Sequence, residues 1–165
     1  MPAVKLTVVL AAAIAATLVA LAATASAATV KLGWTERLNR DAATALTFKV
    51  ASLTINAKSW TAIVEITNKG NSPVLISQSQ FGIAEFDTKT NYSKPTRVLR
   101  SATFIPAVPA KLKPGKAWKG TIGGVGVPND RLFVRLVFGP FATKSSPTPF
   151  TWITDHAQHR FQIAV

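Results

Sequence analysis

The two histidines of the chain lie three residues apart near the C-terminus, in Asp155-His156-Ala157-Gln158-His159. Imidazole is a common metal ligand, but side chains three apart face opposite sides of a strand and share a face only in a helix. A transition-metal site needs three or four ligands, and Asp155 is the one further candidate nearby. We therefore expect two solvated histidines here, with no bound metal and no cofactor.

Hydrolytic chemistry would need a marked nucleophile or a working pair of carboxylates. No Gly-x-Ser-x-Gly turn marks a serine, although a triad is recognised by its geometry and not by its order in the chain. Glu85 and Asp87 lie two residues apart on one face of a predicted strand, where carboxylates are usually only solvated. The chain has no cysteine, which excludes thiol chemistry. The sequence predicts that the protein is not an enzyme.

The four tryptophans are candidates for stacking against a sugar or another ligand. Trp60 and Trp118 stand on apolar faces of alternating segments, which predicts positions in the core. Trp34 and Trp152 have less regular surroundings, so the sequence leaves open whether they are buried or exposed.

Positive charge is the strongest chemical signal in the sequence. Lys and Arg number 19 against 7 Asp and Glu, a formal net charge of +12. No acid lies between Asp87 and Asp130, and that span holds eight bases: Lys89, Lys94, Arg97, Arg100, Lys111, Lys113, Lys116 and Lys119. Such a density of charge attracts polyanions without a shaped pocket. The residues that we expect to bind them are Lys111, Lys113, Lys116, Lys119, Arg97 and Arg100.

The expected partners are anionic cell-wall polymers or other polyanions, such as anionic lipid headgroups or extracellular nucleic acid. Only Phe104 and Trp118 interleave with these bases, so sequence-specific binding of nucleic acid is not expected. The alternative is that the bases only keep an exported protein soluble. The sequence does not indicate an oligomeric state.

The N-terminus predicts export. Residues 6–23 carry no charge, Lys5 precedes them, and Ala25-Ser26-Ala27 follows. A basic start, an apolar segment and a small-x-small site are typical of a secretory signal peptide, here cleaved after Ala27. We expect a secreted protein, extracellular or associated with the cell envelope, with no membrane contact after cleavage. The alternative is a membrane-anchored surface or filament subunit that retains residues 6–23 as its anchor.

Beyond residue 45 the apolar residues alternate with polar ones in short runs separated by turns, the pattern of antiparallel strands. The clearest run is Arg131 to Phe138, and Lys113-Pro114-Gly115-Lys116 is a predicted turn. Trp34–Ala45 is compatible with a short turn of helix. We expect a signal peptide at residues 1–27, an arm or lead-in strand at 28–44, and one antiparallel β-sandwich of roughly seven to nine strands at 45–165.

Several motifs occur in an order that resembles a known group of proteins. They are Trp60-Thr61-Ala62-Ile63-Val64-Glu65-Ile66-Thr67-Asn68, Ser79-Gln80-Phe81, Asn91-Tyr92, Leu112-Lys113-Pro114-Gly115-Lys116 and Gly120-Thr121-Ile122. Together they resemble the small secreted immunoglobulin-like domains of bacterial envelopes, the mycobacterial secreted immunogenic antigen family above all. The resemblance covers residues 46–153 and implies an exported immunoglobulin-like β-sandwich without catalytic residues. The high charge and the extension beyond Ile153 depart from that family.

These observations predict an exported, non-enzymatic binding or structural domain that adsorbs to polyanions through a basic face. A further alternative is a hydrolase or metal-binding protein that uses His156 and His159.

Overall fold

The computed structural model describes residues 27–161. The predicted signal helix, the anchor proposed as its alternative and the last four residues of the chain lie outside the described residues. Within them the protein is all-β, and no helix there is long and apolar enough to cross a bilayer. The strands are β1 (Ala28–Asn39), β2 (Ala45–Ile55), β3 (Ser59–Asn68), β4 (Val74–Ile76), β5 (Gly82–Phe86), β6 (Arg97–Arg100), β7 (Thr103–Ile105), β8 (Lys111–Leu112), β9 (Ala117–Val125), β10 (Phe133–Ala142) and β11 (Phe150–Ile153).

The strands form two antiparallel sheets packed as a sandwich. Sheet A has five strands in the order β1-β2-β3-β9-β7. Sheet B has six, in the order β6-β5-β10-β4-β8, with β11 also paired to β10. The structure confirms the predicted all-β antiparallel sandwich and is consistent with an immunoglobulin-like arrangement. It has more strands than predicted in the described region because β6, β7 and β8 are each only two to four residues long.

The space between the sheets is filled by apolar side chains from the inward positions of the strands. Phe48 and Trp60 of sheet A and Phe138 of sheet B are fully buried there. The rings of Phe48 and Phe138 stack at 5.0 Å, and Phe81 meets Phe138 edge-on at 5.6 Å. Aromatic pairs of this kind add about 0.5–1.5 kcal/mol each beyond the burial of their area. Side chains that can meet a ligand are therefore those at the outward positions.

β1 corrects the short helical turn allowed by the sequence over residues 34–45. The segment is an edge strand paired with β2, and its side chains alternate between buried and exposed. Trp34, Glu36 and Leu38 point inward, while Thr35 and Arg37 point outward. A carboxylate at an inward position disguises the period of two, and this is why the sequence left a lead-in strand, an arm and a short helical turn all open for this segment.

The turn between β8 and β9 joins the two sheets and is held by Asn68 at the end of β3. The buried Asn68 side chain donates to the carbonyl oxygens of Ser72 (2.8 Å) and Leu112 (2.9 Å). Its backbone N–H donates to the Lys116 carbonyl, and the Gly115 N–H donates to the Asn68 carbonyl, both at 2.9 Å. Gly115 has φ +71°, a left-handed conformation that favours glycine. The predicted Pro-Gly turn is therefore present and firmly placed.

Candidate functional site

The outward side of sheet A, here called the open face, carries a groove of about 500 Å³. It crosses β1, β2 and β3 and is lined by polar side chains only. The charged ones are Arg37, Lys49, Glu65 and Lys69, and the neutral ones are Thr35, Asn39, Thr47 and Thr67. We call this set of residues the basic groove.

Strand register brings the groove residues together. Lys49 on β2 lies opposite both Thr35 on β1 and Glu65 on β3, and Glu65 lies opposite Lys119 on β9. Side chains at directly opposed positions of antiparallel strands point to the same side of the sheet, about 5 Å apart. Since Phe48 is buried next to Lys49 in the chain, the alternation of each strand fixes these polar side chains on the outside.

Glu65 is the single acid of the groove, and it is already paired. Its carboxylate accepts a hydrogen bond from Lys49 Nζ at 2.9 Å and one from Thr67 Oγ1 at 3.4 Å. The hydrogen bond from Lys49 is the main cause that lowers the pKa of Glu65, and the positive charge of Lys119 adds to it. Among residues 27–161, no carboxylate forms an ion pair with Arg37, Lys69 or Lys119. The groove therefore keeps a net positive charge.

The predicted lysines continue this basic surface only in part. Lys111, Lys113, Lys116 and Lys119 are all exposed. Lys119 lies in the same row as Glu65, and the backbone of Lys116 is bonded to Asn68, the residue before Lys69. Lys111 instead pairs with Leu75 at the edge of sheet B. Lys116 and Lys119 thus adjoin the basic groove, while Lys111 and Lys113 lead from it towards sheet B.

The structure does not bring Arg97 and Arg100 together with the lysines. Both lie on β6, at an edge of sheet B, and the Arg100 backbone packs against Gly124 of β9. Gly124 is five residues from Lys119, about 17 Å along an extended strand.

The guanidinium groups of Arg97 and Arg100 also have partners of their own. Arg97 binds the buried Glu85 carboxylate through two nitrogens and the Val127 carbonyl at 2.6 Å. The hydrogen bond from Arg97 to Glu85 raises the pKa of Arg97. Arg100 donates to the Gln80 carbonyl at 3.0 Å. Both groups therefore act in internal contacts.

Arg37, Lys49 and Lys69 are site residues that the sequence argument missed. They lie outside the acid-free span, so the search for a run of bases without acids did not include them. The available signal was local: Lys49 stands between Phe48 and Val50, an outward position of a clear alternation. Joining these residues to Lys119 required the strand order β3-β9, which does not follow the order of the sequence.

Glu36 organises the C-terminal histidine segment. Its buried carboxylate accepts hydrogen bonds from the backbone N–H groups of Asp155 and His156, each at 2.8 Å. It is also 2.9 Å from His156 Nδ1 and accepts from Trp152 Nε1 at 3.2 Å. The His156 ring stacks on Trp34 at 5.7 Å. A carboxylate behind Nδ1 is how a general base is oriented, but no hydroxyl within residues 27–161 hydrogen-bonds the other ring nitrogen.

His159 has a separate environment. Its ring stacks on Phe133 at 4.5 Å, and its Nε2 lies 3.2 Å from the Arg131 carbonyl. In the described part of the chain, no three side chains of the metal-ligating types come together. Glu85, which the sequence placed two residues before Asp87, is buried and occupied by Arg97.

The tryptophans add no stacking platform to the open face. Trp60 and Trp118 are buried as predicted, and Trp34, left open by the sequence, is also buried. Trp152 is half-buried and donates to Glu36. The basic groove thus presents charged and hydroxyl groups and no aromatic ring.

Three comparisons with known proteins add no relative to this picture. No family model, no curated protein and no solved structure matches the chain. The basic groove and its geometry therefore carry the functional argument.

Proposed function

We propose that the protein is an exported, non-enzymatic binding domain that adsorbs to anionic polymers of the cell envelope through the basic groove. The observation that carries the proposal is the set of four cations on one open sheet surface with a single, paired acid. The cations are Arg37, Lys49, Lys69 and Lys119. Export rests on the signal peptide of the sequence.

The chemistry of the groove suits a polymer of phosphate or carboxylate groups. Cations held on a rigid sheet need no rearrangement to meet repeated negative charges, and they attract them over about a Debye length, roughly 8–10 Å at ordinary ionic strength. Thr35, Thr47 and Thr67 offer hydroxyl groups to sugar or phosphate oxygens. Since no aromatic ring stands on the groove, reading of individual nucleic-acid bases is not part of the proposal.

The test is retention on purified cell wall, measured by co-sedimentation at low and moderate salt with the protein recovered after expression of the full chain. The test variant combines Arg37→Gln, Lys69→Gln and Lys119→Gln. The matched control combines Arg131→Gln, Lys89→Gln and Lys94→Gln, which removes the same charges from exposed turns away from the groove.

We expect the groove variant to bind at least about tenfold more weakly and to show a shallower dependence on salt, because fewer counterions are released. The control variant should stay close to the unmodified protein. Equal losses in the two variants would show that only net charge matters and would overturn the groove as the site. Mass determination of the secreted protein tests export: a mass that includes Met1, in a membrane fraction, would favour the anchored alternative.

A further inference from the structure

The open face also carries exposed apolar side chains. Among residues 27–161, five large hydrophobic residues are exposed, and three of them lie on this face. Ile63 is 43% exposed, Ile105 64% and Val125 79%. Single exposed apolar residues are ordinary on protein surfaces, but grouping on one functional face is a feature of interaction sites.

Strand register makes these residues continuous with the basic groove. Ile63 on β3 and Ile105 on β7 flank Thr121 of β9 in one row across the sheet. The adjacent row, two residues and about 7 Å along the strands, contains Glu65 and Lys119. Val125 ends β9 on the same side of the sheet, about 14 Å beyond Thr121. The open face therefore has a cationic half and, on β3, β7 and β9, an apolar half. The row of Ile63 continues through Ser52 on β2 to Lys31 on β1.

The carboxylates on and near the open face would not repel an anionic surface. Glu65 is paired with Lys49, and Glu36 and Glu85 are buried. The row beyond Ile63 is neutral: it consists of Thr29, Thr54, Thr61, Gly123 and Thr103. A flat negatively charged layer could approach the whole face without meeting an unpaired carboxylate among these rows.

From this arrangement we propose that the open face, besides anionic polymers, binds the surface of an anionic lipid bilayer. The cations contact lipid phosphates, while Ile63, Ile105 and Val125 enter the region between headgroups and acyl chains. A soluble polymer would satisfy the charges and leave the apolar half in water, whereas an anionic bilayer satisfies both. The inference rests on the proposed function and replaces the expectation, made from the sequence, of no membrane contact after signal cleavage.

The experiment compares vesicles with a soluble polyanion. Partition is measured on vesicles of phosphatidylcholine, on vesicles of phosphatidylcholine mixed with phosphatidylglycerol, and on polyphosphate without lipid. The test variant combines Ile63→Thr, Ile105→Thr and Val125→Thr, because threonine keeps the β-branched shape that strands favour. Leu75→Thr is the control: Leu75 is 49% exposed, on β4 of sheet B.

The expected result is a loss of at least about tenfold in partition onto anionic vesicles for the triple threonine variant, with polyphosphate binding unchanged. Leu75→Thr should bind both as the unmodified protein does. The groove variant with Arg37, Lys69 and Lys119 changed to Gln should lose both kinds of binding. Unchanged vesicle binding by the triple threonine variant would overturn the bilayer inference and leave the proposed function intact. If the unmodified protein binds neither vesicles nor polyphosphate, both proposals are wrong.

A second measurement does not depend on the stability of that variant. The chain has no cysteine, so Val125→Cys provides a single labelling site for a fluorophore sensitive to polarity. We expect its emission to shift to the blue with anionic vesicles and to stay unchanged with polyphosphate. A label that remains in water on vesicle-bound protein would contradict insertion of this end of the face.

Discussion

The two outward faces of the sandwich are built by the same alternation, but only one of them remains open. The open face of sheet A exposes its polar side chains to solvent. The outward side of sheet B, here called the covered face, buries Ala84, Phe86 and Val137 in a small apolar cluster of their own. Residues 87–96 and 154–158 lie on this side of the sheet and hydrogen-bond to Arg135 and Val134 of β10, beside the cluster. Whether the outward side chains of a sheet are accessible therefore depends on the loops that cover it and not on the strand pattern.

An arginine on each face shows the consequence. Arg37 on the open face is exposed and lines the basic groove. Arg135 on the covered face is completely buried and donates to the carbonyl oxygens of Thr154, Asp155 and Lys89. The Tyr92 ring lies over its guanidinium, 4.0 Å from ring centroid to Cζ. Arg135 therefore fixes two chain segments, while Arg37 is positioned to meet a ligand.

Replacing these two arginines should give the largest difference in stability between the two faces. Arg135→Ala leaves three carbonyl groups without this donor and opens a cavity in place of a fully buried side chain, so we expect it to lower the free energy of unfolding by about 3 kcal/mol. Arg37→Ala should lower it by less than about 0.5 kcal/mol, as is usual for an exposed residue. Urea unfolding measures both. Similar costs for the two changes would mean that the covering segments do not depend on Arg135.

Replacing Tyr92 tests the contact between the segment 87–96 and Arg135. Tyr92→Ala removes the aromatic ring over Arg135 and should lower the free energy of unfolding by about 1 kcal/mol. Tyr92→Phe keeps the ring and is the matched control, with an expected change close to zero. Hydrogen exchange should speed up at residues 87–96 in the alanine variant only. Retention on cell wall should be the same for both, since Tyr92 is remote from the open face; a loss of retention would contradict the separation of the two faces.

The sequence predicted the framework better than the site, for physical reasons. Alternation revealed the inward residues of β2, β3 and β10, and Lys113-Pro114-Gly115-Lys116 revealed the turn that Asn68 holds. Alternation alone did not show that Glu36 and Arg135 are buried, because their hydrogen-bond partners are distant in the chain. His156 is 120 residues from Glu36, and Lys89 is 46 residues from Arg135. The basic groove depends on the pairing of β3 with β9, which sequence order does not indicate. Charge counting therefore found Lys116 and Lys119 without Arg37, Lys49 and Lys69.

The smallest expected effect concerns the protonation of Glu65 on the open face. Because Lys49 lowers its pKa in the folded protein, the small stabilisation by this pair is present above the ordinary glutamate pKa and is lost as the pH falls through the lowered value. Protonation also removes the only negative charge of the basic groove. Binding to a sulfated polymer, whose charge does not change in this range, should therefore rise as the pH drops below the usual range of glutamate.

Glu65→Gln removes the titrating group and keeps the shape of the side chain. At neutral pH we expect it to bind the sulfated polymer about two- to threefold more tightly, the size of one partly exposed charge, and to lose the rise at low pH. Asp87→Gln is the control, because it removes an exposed acid at a turn beside the covered face. The measurement is the dissociation constant at a series of pH values and one salt concentration. A rise at low pH that persists in Glu65→Gln would place the titrating acid outside the groove.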